Sequence, residues 1–218
     1  FNLRKKEILG FYGLVGSGRT EIMKSIFGIT KLDEGEILFK DQKILIRKPS
    51  DAIDQGIVYL SEERQQLGMT GLMSVKDNIN MAVMDRNSNF YVMNTLKEIK
   101  NSSAMQEKLN IKVSYWSQLT QSLSGGNQQK VIVGRWLLQP CKLLILDEPF
   151  QGVDIKARRD IGKYIRKSAV DRATLVFVSE LDEALEIADR VLVMNEKSLV
   201  GEHQNKNIDI EKILIEIS

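Results

Sequence analysis

The sequence predicts an α/β fold, a mostly parallel sheet flanked by helices, with an antiparallel β insert and a helical sub-domain. Three observations carry this. Short apolar runs read as strands buried on both faces: EILGFY (7–12), GIVYL (56–60), KLLILD (142–147), TLVFVS (174–179) and RVLVM (190–194). Helical patterns separate many of them, and strand–helix alternation argues for parallel strands joined by crossovers. Residues 62–121 differ in character, richer in Asn, Ser, Gln and Met, with helical patches at 74–86 and 92–109.

Taken in order, the first strand runs into GLVGSGRT (13–20), after which Ile22, Ile26 and Phe27 mark a helix. GEILFK (35–40) and QKILI (42–46), joined by Asp41, read as a hairpin-type insert. One domain is expected over 1–218, with 1–61 and 122–218 as its core and 62–121 as the helical sub-domain. Ser124 is a good N-cap for an apolar helix anchored by Val131, Ile132, Trp136 and Leu137. KLLILD is a central strand by composition. Ala157, Ile161, Tyr164, Ile165 and Ser168 form one helix face, and Leu181, Ala184, Leu185 and Ala188 another. Ile210, Ile213, Leu214 and Ile217 recur at helical spacing, so a packed helix is expected to close the chain. His203, the only histidine, reads as a solvated loop residue.

The 218 residues are enough for a substantial core, and 43% hydrophobic with 28% charged residues is the balance of an ordinary globular protein. A net charge of +2, from 31 basic and 29 acidic residues, gives no support to a dedicated nucleic-acid surface. Apolar stretches such as LLIL (143–146) are far shorter than the roughly 20 residues of a membrane span. A single cysteine, Cys141, excludes an internal disulfide and fits a reducing compartment. The opening at Phe1, without methionine, reads as a piece of a longer protein.

Gly13, Gly16 and Gly18, with Ser17 between the last two, follow a strand and open a helix. Such glycines let backbone N–H groups turn inward around phosphate oxygens, and the helix start adds its positive dipole end. Thr20 offers a hydroxyl to Mg²⁺. Arg19 stands where the phosphate-loop pattern has lysine; it keeps the charge but exchanges a compact ammonium for a longer planar fork. A glycine-rich turn holding no ligand is the plain alternative for the loop alone, and the dinucleotide fingerprint fails for want of its third glycine. Asp147 and Glu148 should emerge at the C-terminal end of their strand, where ligands of open α/β sheets sit. One carboxylate can hold Mg²⁺ and the other can orient an attacking water; a solvated acidic turn before Pro149 is the alternative. Gly125 and Gly126 leave the first N–H groups of the following helix open to an anion, unless the run is merely a flexible turn.

Together these residues resemble the nucleotide-binding domain of ABC transporters. Gly13–Thr20 matches Walker A, Leu123–Gln128 the signature, Leu143–Glu148 Walker B, and Gly152-Val153-Asp154 the D-loop. LSGGNQQKVIVGRWLL with YLSEER is more narrowly similar to the second ATPase half of bacterial simple-sugar importers, the ribose, galactose and autoinducer-2 class. The resemblance implies a P-loop ATPase that uses ATP and Mg²⁺. Gly13, Gly16, Ser17, Gly18, Arg19 and Thr20 would lie on the nucleotide, Thr20, Glu62 and Asp147 near the metal, and Glu148 would be the base. Ser179 stands in the place of the switch histidine, and Glu62 in that of the Q-loop glutamine. Ser124, Gly125, Gly126 and Gln128 would serve the nucleotide of a partner domain, with Asp154 in the D-loop.

Arg19, Glu62 and Ser179 depart from the general ABC pattern and are similar to the degenerate half of this importer class. The expectation is therefore asymmetric: an altered site of its own beside an intact signature. Implied partners are the N-terminal ATPase half of the same polypeptide, transmembrane permease subunits contacted through 62–109, and indirectly a periplasmic or extracellular sugar-binding protein, with no nucleic acid. The implied location is peripheral, on the cytoplasmic face of the cell membrane. Two rivals remain at this point: a soluble ABC-type ATPase acting on ribosomes or DNA, and a nucleotide sensor that never hydrolyses.

Overall fold

A computed structural model describes residues 1–89, 92–206 and 208–217. The chain divides into two compact units, one of residues 1–59, 141–148 and 169–218, the other of residues 60–140 and 149–168.

The first unit contains β1 (Ile8–Gly13), α1 (Arg19–Phe27), β2 (Ile37–Phe39), β3 (Gln42–Ile44), α2 (Pro49–Gln55) and β4 (Ile57–Leu60), whose last residue is counted with the second unit. The second holds α3 (Val75–Asn80), α4 (Met84–Asn87), β5 (Ser88–Asn89), β6 (Val92–Met93), α5 (Thr95–Leu109) and α6 (Gly125–Leu137). The chain then returns through β7 (Leu143–Asp147), leaves again for α7 (Ile155–Ser168), and ends with β8 (Ala173–Val178), α8 (Leu181–Ile187), β9 (Arg190–Asn195), β10 (Ser198–Gln204) and α9 (Ile210–Glu216).

The main sheet has the order β10-β9-β1-β8-β7-β4. β1 pairs in parallel with β8 and β9, and β7 pairs in parallel with β8. This is the α/β class expected. β10 adds an antiparallel edge on β9. The central strands are apolar on both faces because helices cover both. Phe11 stacks on Phe177 at 4.5 Å between ring centroids, within a core that includes Leu9, Met23, Ile145 and Leu175. Each such fully buried side chain contributes about 1.5–3 kcal/mol. β2 and β3 form a separate two-stranded sheet, and their turn has Lys40 at φ 53° and Asp41 at φ 61°. Positive φ at both central residues is what a tight hairpin turn matched to strand twist requires.

His203 departs from its expected loop. It lies on β10 with a side chain only 10% exposed, its ring Nε2 2.7 Å from Glu216 Oε2 of α9. The pairing follows from the packing of α9 on β10, and Ile213 is the fully buried residue of that helix.

In the second unit α6 packs on α3, α5 and α7. Helices α6 and α7 therefore belong with the helical unit by contact, whereas the sequence grouped residues from 122 onward with the sheet. Arg135 of α6 is buried without an acid partner among the described residues and donates to Gly68 O (2.8 Å), Asn78 O (2.7 Å) and Asn78 Oδ1 (2.8 Å). Burial pushes it down to about 10. It ties the signature helix to the turn at Arg64–Gly68 and to α3.

Candidate functional site

The sheet brings the Walker residues to one end. Gly13 closes β1, Asp147 closes β7, and Ser179 follows the last residue of β8, which lies between those two strands. Gly16 and Gly18 take φ of 88° and 96°, a backbone that turns N–H groups inward and that other residues rarely adopt. Gly18 caps α1 without any side chain on the helix start. Ser17 Oγ is buried with no hydrogen-bond partner among the described residues. A backbone cradle, an uncapped helix start and an orphaned hydroxyl together suit a phosphate.

Arg19 does not point into an open cradle. Its Nη1 lies 3.1 Å from Glu148 Oε1, with side chains 10% and 8% exposed. Glu148 itself sits at φ 44°, a left-handed conformation for a non-glycine residue, and its N–H donates to Phe177 O at 2.9 Å. Backbone strain of this kind concentrates at functional positions. Nearby, burial raises the Tyr12 hydroxyl above its ordinary value while the Arg19 charge pulls it back.

Asp147 is buried and accepts a 2.8 Å hydrogen bond from Tyr59 OH. The Tyr59 ring rests on Phe27, centroids 5.4 Å apart, which fixes the phenol. Tyr59 was visible in the sequence only as a strand residue; nothing in GIVYL announced a partner for the acidic pair. The Thr20 hydroxyl and the Asp147 carboxylate are the hard oxygen donors Mg²⁺ takes. No three acidic, histidine or cysteine side chains gather among the described residues. The rest of the ion's shell would therefore be phosphate oxygens and water, the usual arrangement for nucleotide-bound Mg²⁺.

The other predicted residues lie in the helical unit. Ser124 occupies the N-cap of α6 but makes no capping bond; its Oγ accepts from Asn127 Nδ2 at 2.9 Å. The first N–H groups of α6 thus lack a side-chain acceptor, as an anion site requires. Gly126 is fixed by packing: a Cβ there would lie 2.6 Å from Ala157 Cβ on α7. Asp154 Oδ1 accepts from Ala157 N at 2.9 Å, so the D-loop acid caps the start of α7. Glu62 Oε1 accepts from Gln151 Nε2 at 3.2 Å. Gln128 differs from its expected role. It is 6% exposed, and its amide donates to Leu123 O (3.1 Å) and Gln121 O (3.3 Å), so it shapes the signature turn from behind. Its place on the inward face of α6 is the reason.

The ABC transporter family model matches residues 1–151. The chain belongs to the ABC transporter family. It is 44% identical over 217 residues to a xylose import ATP-binding protein of Thermoanaerobacter pseudethanolicus, covering 98% of this chain and 43% of that protein. To a ribose import ATP-binding protein of Clostridium tetani it is 40% identical over 216 residues, covering 98% of this chain and 43% of that one. The chain thus spans less than half the length of these curated relatives. Among solved structures, a nucleotide-free ATP-binding cassette from an ABC transporter superposes with TM-score 0.82 at 22% identity, over 99% of this chain and 87% of that one. A dimeric bacterial ABC transporter cassette gives TM-score 0.81 at 17% identity, over 95% and 89%. These two establish the fold. No helix among the described residues is long and apolar enough to cross a membrane.

Proposed function

We propose that this ATP-binding cassette is one half of an importer for a simple sugar, working against a second ATP-binding domain, the N-terminal half of the same polypeptide. In this reading the pair lies on the cytoplasmic face of the cell membrane against transmembrane permease subunits, and a periplasmic or extracellular sugar-binding protein acts through those subunits. Kinship with xylose and ribose import ATP-binding proteins supports the cargo class. The reaction is hydrolysis of ATP to ADP and phosphate, and the two halves contribute unequally.

The observation that carries the asymmetry is the Arg19–Glu148 ion pair at 3.1 Å. Hydrolysis needs a water in line with the terminal phosphate, a group to orient it, and positive charge on the transferring oxygens. Glu148 is the group for the water, and Arg19, with the backbone of 13–18, is the charge for the phosphates. Each holds the other, so neither serves a triphosphate until the pair opens. Mg²⁺, when bound, would neutralise phosphate charge; Thr20 and Asp147 would hold it, with Tyr59 fixing the Asp147 carboxylate. Ser179 supplies a hydroxyl where the family pattern has an imidazole; it can hold a phosphate oxygen but does not exchange a proton near neutral pH. The chain's own site therefore binds better than it turns over. Its open signature, Ser124 to Gly126, completes the partner's site.

The test compares two variants of the full-length protein. Ser124→Asp puts a residue well suited to the N-cap position at the start of α6 and places a carboxylate where the partner's phosphate would lie, so steady-state ATP turnover should fall about a hundredfold. Glu148→Gln should cost less than tenfold, because this half contributes little turnover. A larger loss from Glu148→Gln than from Ser124→Asp would refute the asymmetry.

A further inference from the structure

Arg64 opens the turn Arg64–Gly68, a single π-helical turn of the kind that recurs at functional sites. The far end of this turn is held firmly, since Gly68 O accepts from the buried Arg135. At its near end the backbone is bonded too, Arg64 N donating to Glu62 O at 2.7 Å, but the Arg64 side chain is not held firmly. Arg64 Nη1 donates one long hydrogen bond, 3.3 Å, to Gln151 O. Arg64 Nε is buried with no partner at all among the described residues, and no carboxylate pairs with the guanidinium there. Burial holds it below the ordinary arginine value. The side chain lies against both segments expected to face a partner domain. A Cβ on Gly125 would be 3.4 Å from Arg64 Nη2, and one on Gly152 would be 3.7 Å from it.

This placement is unfavourable for the chain alone. A guanidinium beside the start of α6 meets the positive end of the helix rather than a counter-charge, and an empty buried donor is a standing penalty. Arg135 in this same unit is satisfied, making three bonds of 2.7–2.8 Å. An anion arriving at the signature turn would relieve both defects at once, because the fork of Nε and Nη2 matches two oxygens of a phosphate.

We propose that Arg64 is a further nucleotide-binding residue of the signature face, contacting the terminal phosphate of a nucleoside triphosphate held on the partner ATP-binding domain. The proposal rests on the paired-domain reading above and deepens it, adding to the Ser124–Gly126 turn a cation from outside the signature motif. It needs the side chain to swing from Gln151 O onto the phosphate, a rotation that costs one weak hydrogen bond.

Steady-state kinetics on the full-length protein test it, using Arg64→Gln, Arg64→Lys and Ser124→Asp, with ADP binding by competition and Tm as companions. Arg64→Gln should raise the KM for ATP about tenfold while ADP affinity and Tm stay at wild-type values, because only the terminal phosphate loses a contact. Arg64→Lys should recover part of that loss through its charge. Unchanged KM in Arg64→Gln, with Ser124→Asp strongly impaired, would overturn the role of Arg64 alone. A fall in Tm with Arg64→Lys no better than Arg64→Gln would make Arg64 a structural residue and equally overturn it. If Ser124→Asp turns over ATP like the wild type, the paired-domain reading falls and Arg64 loses its ligand with it.

Discussion

The two regions that carry nucleotide chemistry in this chain treat positive charge in opposite ways. In the sheet unit, Arg19 of the phosphate loop is already matched by Glu148 at 3.1 Å, and both side chains are withdrawn from solvent. In the helical unit, the signature turn has an uncapped helix start and Arg64 beside it with a donor unfilled. A charge balanced within its own unit asks nothing of a partner and must be unlocked before it can act. An unbalanced one is unfavourable until something negative arrives from elsewhere. The phosphate loop and the signature turn thus differ in electrostatic state as well as in sequence, and the proposed division of labour between binding and completing rests on that difference.

The largest expected effect bears on whether the signature is rigid. Gly126 is in contact range of Ala157, so Gly126→Ala puts two methyl carbons 2.6 Å apart unless α6 and α7 separate. We expect a loss of about 2–3 kcal/mol in the stability of the protein, read by urea denaturation. Ala157→Gly in the same chain should recover most of it, since the second change removes the clashing carbon. Without that recovery the two helices are not in the contact described, and the signature loses its fixed backing. For the same reason a bulky residue at 126 is a poor probe of ligand binding, and Ser124 is the better one.

The second expected effect bears on the other side of the comparison. Arg19→Lys replaces the fork with a compact ammonium on a shorter reach. It should loosen the grip on Glu148 and return the cation to the phosphates. Single-turnover hydrolysis by this chain should then rise about tenfold, an effect of the size expected when a catalytic group is freed and realigned. A rate unchanged from wild type would mean that the ion pair is not what limits this half, and Ser179 would become the residue to replace with histidine.

Much of the sheet unit was legible in the sequence because its signals are local. A strand buried on both faces is a continuous apolar run, and a phosphate loop is a fixed spacing of glycines. What the sequence could not reveal were relations between distant residues. Tyr59 and Asp147 lie 88 positions apart and Arg19 and Glu148 129 apart, yet each pair meets within 3.1 Å. Spacing cannot report such contacts, since they are set by strand order in the sheet. His203 was misread for a related reason. Polar residues on an antiparallel edge strand look like loop residues until a helix such as α9 covers them. Gln128 follows the exposed Ser124 by four residues in the same short motif, and only the phase of α6 places it inside. The unit boundary was hardest, because α6 follows the helical segment in the chain and precedes a core strand, and nothing in its composition says on which side it packs.

The smallest expected effect is an acid-induced loosening inside the helical unit. Lys130 of α6 is buried and donates to Asp160 Oδ2 of α7 at 2.6 Å and to Asn110 O at 3.1 Å. Partial burial raises the Asp160 carboxyl, but the Lys130 hydrogen bond and charge outweigh it and hold the group below the ordinary carboxylate value of 3.8. A carboxyl depressed in the folded state stabilises fully above its unfolded value. That contribution is lost as pH falls through the folded value. The packing of α6 on α7 should therefore weaken below about pH 4 by roughly 1 kcal/mol. Urea denaturation between pH 3 and 7 would measure it. Asp160→Asn should flatten this part of the acid limb while lowering stability at neutral pH. An acid limb identical in wild type and Asp160→Asn would mean that the pair carries no net stabilisation, leaving the Arg135 hydrogen bonds and the close packing of Gly126 on Ala157 to hold the signature helix in register.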